Sequence, residues 1–119
     1  MTIDKIIINQ IMSQDPHALG AYGCVSIHGK NIVINGKSIE ETTELYQGGL
    51  KLKVDGYNKS VSTVDILLHW NDTYTVMFKD TSDELVKQVD DVYFDQLIEV
   101  LDFIEENNEN SLEINFCLN

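Results

Sequence analysis

The order of predicted elements points to an α+β fold. A mostly antiparallel sheet of about five to six strands, made of hairpins and meanders, carries an N-terminal helix, a long amphipathic helix near the C-terminus and a C-terminal strand. Three observations predict it. Residues 64–78 alternate apolar and polar around a tight Asn71-Asp72 turn, which is a hairpin pattern. Residues 91–106 carry an apolar stripe at helical spacing. The connections between the strand-like runs are too short for parallel crossovers. The 119 residues suit one domain, 1–119, with no internal repeat or linker, and a chain this long can bury a core without disulfide or metal.

The first helix spans residues 2–12, where Ile3, Ile7 and Ile11 share one face. Thr2 is placed to cap it, and Asp15-Pro16 ends it. Glycines 20 and 23 mark a loop. Val25 and Ile27 alternate with Cys24 and Ser26 in a first strand, residues 28–31 turn, and Ile32 and Ile34 form a second strand. Asn35-Gly36 is a type I′ hairpin signal. Ser38-Ile39-Glu40-Glu41 has the form of a capping box, so a short helix is expected from there to about Gln47, stopped by Gly48-Gly49.

Leu50, Leu52 and Val54 alternate with Lys51, Lys53 and Asp55 in a half-buried strand. The hairpin follows, with Val64, Ile66, Leu68 and Trp70 on one arm and Tyr74, Val76 and Phe78 on the other. Residues 81–89 suit a helix or a strand. A strand is preferred, because Asp90-Asp91 resembles a helix start. The helix then runs over 91–106, with Tyr93, Leu97, Val100, Leu101 and Ile104 as its apolar stripe. Leu112, Ile114, Phe116 and Leu118 alternate to the end as a last strand.

Charge is the unusual property. Twenty acidic residues stand against eight basic ones, all lysine, for a net charge of −12. Residues 1–59 hold six lysines and six acids; residues 60–119 hold two lysines and fourteen acids, so the imbalance belongs to the second half. This argues against direct binding of nucleic acid or an anionic membrane, which calls for clustered Lys and Arg. It favours a basic protein partner, drawn in by long-range attraction. On the expected helix Asp91, Asp95, Glu99, Asp102 and Glu106 fall within roughly 80° of one another at about 100° per residue, opposite the apolar stripe. No lysine among residues 90–106 offsets them. A solvated helix face normally mixes signs, since Glu–Lys pairs at i,i+4 add stability.

These five residues are the expected partner contacts, with Asp72, Asp80 and Asp83 as outer candidates. Trp70, the sole tryptophan, is expected to anchor the core; its sharper role is an interface anchor at the rim of the acidic surface.

The residues offer no catalytic signature. His17, His28 and His69 are scattered, and no nucleophile elbow, phosphate loop, zinc-protease or dinucleotide motif occurs. Cys24 and Cys117 lack metal or redox spacing and read as semi-buried thiols. No cofactor and no metal are expected. No signal-peptide pattern or membrane-length apolar run occurs, so a cytoplasmic location is expected. The leading expectation is an acidic inhibitor of a basic, nucleic-acid-handling protein, of the kind represented by immunity proteins that occlude a nuclease toxin. A phage-type DNA mimic shares the same physics. An acidic secretion chaperone is the alternative from another class and would need an exposed apolar patch. Monomer and homodimer are both open.

Overall fold

The computed structural model describes residues 3–29, 32–34, 36–55 and 60–105. They form an α+β fold built on a five-stranded antiparallel sheet of order β1-β4-β5-β6-β7, with a small two-stranded ladder β2-β3 beside it. The strands are β1 (Cys24–His28), β2 (Val33–Ile34), β3 (Lys37–Ser38), β4 (Tyr46–Val54), β5 (Thr63–His69), β6 (Tyr74–Lys79) and β7 (Leu85–Val92). The helices are α1 (Ile3–Gln14), α2 (Ala18–Ala21) and α3 (Leu97–Leu101).

One face of the sheet makes the main core. Leu50, Leu52, Val64, Ile66, Val76 and Phe78 are buried there against Ile7 and Ile11 of α1 and Leu97 and Leu101 of α3. The isoleucine spacing in α1 is the cause, since residues four apart stack on one helix face. Pro16, which has no N–H to donate, closes this helix, and the backbone N–H of His17 bonds the Asp15 carboxylate at 3.0 Å. The loop expected around Gly20 instead contains the single turn of α2, whose Ala18 is buried.

The opposite face is covered by the β2-β3 hairpin and a 3-10 turn at Ile39–Thr42. Ile32 and Ile39 pack there on Leu67 and Met77, with Tyr46 beside them. Gly36 turns this hairpin at φ +82°, a left-handed conformation that glycine adopts at low cost. The Glu41 carboxylate accepts the Ser38 backbone N–H at 3.0 Å and its hydroxyl at 3.1 Å, so the capping group forms as expected. The helix expected to continue to Gln47 does not. After one 3-10 turn the chain enters β4 at Tyr46. Gly48 and Gly49, read as a helix stop, lie inside that strand. A Cβ at Gly49 would stand 2.9 Å from the Ile66 carbonyl oxygen and 2.9 Å from the Ile39 side chain. The glycine is there because two layers close on it, which no local pattern signals.

The hairpin β5-β6 forms as expected and pairs Val64 with Phe78 and Ile66 with Val76. Residues 85–92 form the preferred strand, but it continues through Asp90 and Asp91 to Val92, which pairs with Tyr74. The expected helix start at Asp91 is therefore corrected. The strand takes up one extra residue between its Val76–Val89 and Tyr74–Val92 pairs, with Asp91 at φ +57°. Aspartate tolerates this conformation, and the bulge preserves pairing beyond it.

The helical turn begins only at Phe94, where Gln96 Oε1 accepts the Tyr93 N–H at 3.0 Å. A 3-10 turn (Phe94–Gln96), the five residues of α3 and a second 3-10 turn (Asp102–Glu105) replace the long continuous helix. Leu97, Leu101 and Ile104 of the expected stripe are buried, whereas Tyr93 is exposed. The expected C-terminal strand, and Glu106, lie outside the described residues.

Candidate partner interface

The acidic residues do not form one helical ladder. Asp91 stands on the bulge of β7, Asp95 in the 3-10 turn after it, Glu99 in α3 and Asp102 in the following 3-10 turn. A regular 100° advance per residue applies only within a continuous helix, so the expected stripe is broken into separate positions. All four are exposed. Asp102 accepts the Tyr22 hydroxyl at 3.3 Å, which ties it to the end of α2.

Asp91 and Glu99 nevertheless share a groove. Both line a groove of about 380 Å³ between β7 and α3, with Lys87, Val89, Val100 and Phe103. The strand supplies one wall and the returning helix the other, so two carboxylates eight residues apart share one opening. Lys87 and Phe103 were not singled out in the sequence. The Lys87 ammonium lies 4.5 Å from the centre of the Phe103 ring, a cation–π contact.

The outer candidates are placed differently. Asp72 and Asp80 flank the six-residue strand β6, and so lie about 20 Å apart at opposite ends of it. Asp72 is in the β5-β6 turn at φ +68°, where Gln47 Nε2 donates to its carboxylate at 3.2 Å. Asp80 organises the β6-β7 turn by accepting the backbone N–H groups of Ser82 at 2.8 Å and Glu84 at 3.0 Å. Asp83 sits within that turn at φ +66° and is exposed. The first two carboxylates thus have turn-forming work of their own.

Trp70 is not a core anchor. It is 61% exposed in the β5-β6 turn, and its indole N–H donates to the Thr43 carbonyl at 2.7 Å. The alternation of β5 ends at His69, so the turn frees Trp70 from the inward face. Leu45, two residues after Thr43, is 60% exposed, and Tyr93 and Phe94 are exposed beside the acidic segment. Two adjacent aromatics cannot both face one core from a strand exit, and that pair was the legible signal the pattern reading passed over.

A polar chain crosses the second face. His69 Nε2 lies 2.7 Å from the Thr75 hydroxyl, and that hydroxyl donates to the Asp90 carboxylate at 2.9 Å. A hydroxyl has one hydrogen, so with it committed to Asp90 the Thr75 oxygen accepts from His69 Nε2–H. This is the reverse of nucleophile activation, in which the hydroxyl gives its proton toward the imidazole. Gln88 also donates to Asp90, at 3.1 Å. The chain therefore fastens β5, β6 and β7 together.

Among the described residues Cys24 is a free, half-buried thiol whose pKa is raised by burial, partly offset by a backbone hydrogen bond with Ser26. Cys117 lies outside the described residues. Among the described residues no group of three His, Cys, Asp or Glu side chains could hold a metal ion. No helix among them is long and apolar enough to cross a membrane. No family model, curated protein or solved structure matches the chain.

Proposed function

We propose that this chain is an acidic inhibitor that binds a basic, nucleic-acid-handling protein, in the manner of an immunity protein that occludes a nuclease toxin. The observation that supports the reading is how the two lysines of the acidic half are used. Lys79 is paired at 3.0 Å with the buried Asp65, and Lys87 lies over Phe103. Lys79 is thus withdrawn from the exposed acids Asp83, Asp91, Asp95, Glu99 and Asp102, and Lys87 alone of the two stands among them, in the groove of Asp91 and Glu99. The positive groove of a nucleic-acid enzyme complements such a surface, and like-charged nucleic acid is repelled by it. Exposed Tyr93 and Phe94 supply the apolar contact that charge alone lacks. Inhibition follows by occupying the groove, with association accelerated by electrostatic steering and weakened by salt.

The test is capture of binding proteins from the native host by the tagged chain at low salt, with elution in rising salt and identification by mass spectrometry. One basic nuclease, released only at high salt and inactive while bound, is the expected result. Retention of no basic protein, or retention indifferent both to salt and to Asp95→Lys with Glu99→Lys, overturns the reading.

A further inference from the structure

The groove between β7 and α3 has a more specific use, which rests on the inhibitor reading. We propose that it seats an arginine or lysine side chain carried on an extended segment of the basic partner, laid along the edge of β7 that no described strand covers. Strand β7 ends the sheet order and, among the described strands, pairs only with β6. Seven of its eight residues are exposed or half-buried. Its outer backbone groups are therefore placed to add a strand, the mode of recognition that gives affinity through the main chain and specificity through alternate side-chain sites.

Such a strand sends every second side chain toward the α3 side of the sheet. There it meets Val89, Val100 and Phe103, which suit the aliphatic stem of a long cationic residue, and then the carboxylates of Asp91 and Glu99. Neither carboxylate has a hydrogen-bond or ion-pair partner among the described residues. One cation, Lys87, already lies on the Phe103 ring, so the aromatic wall is seen to accept an ammonium. One lysine against the three acids Asp90, Asp91 and Glu99 leaves the groove negative. Charge selects a cationic occupant, and the strand edge selects an extended one.

The probe is the acetylated, amidated hexapeptide Thr-Val-Arg-Val-Thr-Val, titrated into the full isotope-labelled chain at low salt and followed by amide chemical shifts. Saturable shifts confined to residues 85–92 and 97–103 are expected. Replacing the peptide arginine by the neutral isostere citrulline, or Asp91→Asn with Glu99→Gln in the protein, is expected to weaken binding at least about tenfold, the scale of a charge-assisted hydrogen bond. Glu40→Gln, in the exposed 3-10 turn on the opposite face of the sheet, is expected to leave it unchanged. Absence of saturable binding, shifts centred elsewhere, or equal loss in Glu40→Gln overturns the proposal. The double variant also goes into the host capture. A nuclease held equally by wild type and variant removes the groove and keeps the inhibitor reading. Peptide seated in the groove with no basic protein captured removes the reading and keeps the groove.

Discussion

The Asp65 carboxylate, fully buried in β5, lies 3.0 Å from the Lys79 ammonium of β6. The same ammonium donates to the Val33 carbonyl at 3.3 Å, so one cation neutralises the sheet's buried charge and holds the β2-β3 hairpin down. Taking one partner away leaves the other charge uncompensated, whereas replacing both with apolar groups removes the desolvation cost along with the attraction. Lys79→Met is expected to lower stability by about 3–5 kcal/mol. Asp65→Val combined with Lys79→Met is expected to be within about 1 kcal/mol of wild type or more stable. Urea unfolding of the three proteins checks both values.

Burial raises the Asp65 carboxyl above its ordinary 3.8, and Lys79 and then Lys51 reduce that shift. The folded chain thus binds this proton more tightly than the unfolded chain does. The stability linked to it is fully present below pH 3.8 and is lost as pH rises through the folded value. The stability of Asp65→Asn relative to wild type is therefore expected to improve as pH rises through that window. Paired unfolding curves at stepped pH measure the difference; a flat difference would show that the group titrates alike in both states.

Tyr74 is pushed up to about 12, first by burial and second by the Asp72 charge. Its hydroxyl donates to Gln10 Oε1 of α1. The folded state keeps the phenol protonated, so the stability linked to it is present below pH 10 and is lost between 10 and about 12. An ultraviolet titration is expected to show one tyrosine ionising near 12, absent in Tyr74→Phe. That variant is also expected to lose about 1 kcal/mol at neutral pH with the hydrogen bond.

Trp70 is the sole tryptophan and is 61% exposed, so its fluorescence reports one position. Emission characteristic of an aqueous indole and ready quenching by acrylamide are expected for the free chain. Trp70→Phe is expected to cost about 0.5–1.5 kcal/mol through the lost bond to Thr43. Protection from quenching on partner binding would place it within the interface.

Local patterns carried much of the architecture. Isoleucines four apart specified α1, and apolar residues at every second position from Val64 to Leu68 and from Tyr74 to Phe78 specified β5-β6. Those signals are local because burying one helix face or one sheet face imposes a period on the sequence itself. Asp90-Asp91 misled, because paired acids suit a helix N-terminus and a bulge equally well. The pairing of Val92 with Tyr74 decided between them, and that contact joins residues eighteen apart in sequence. Gly48-Gly49 misled likewise, since the Ile66 and Ile39 atoms that exclude a side chain at Gly49 come from other elements.

The candidate site divides in the same way. Composition by itself determined that the second half is acidic, because net charge sums over residues wherever they lie. Tertiary structure decided which acids act together. The bulge and the short α3 broke the expected ladder, set Asp91 and Glu99 on the walls of one groove, and set Asp72 and Asp80 at opposite ends of β6. It also turned Trp70 outward and spent Lys79 on a buried carboxylate. Proximity across the chain depends on how strands pair and where helices return, and no sequence spacing encodes that directly.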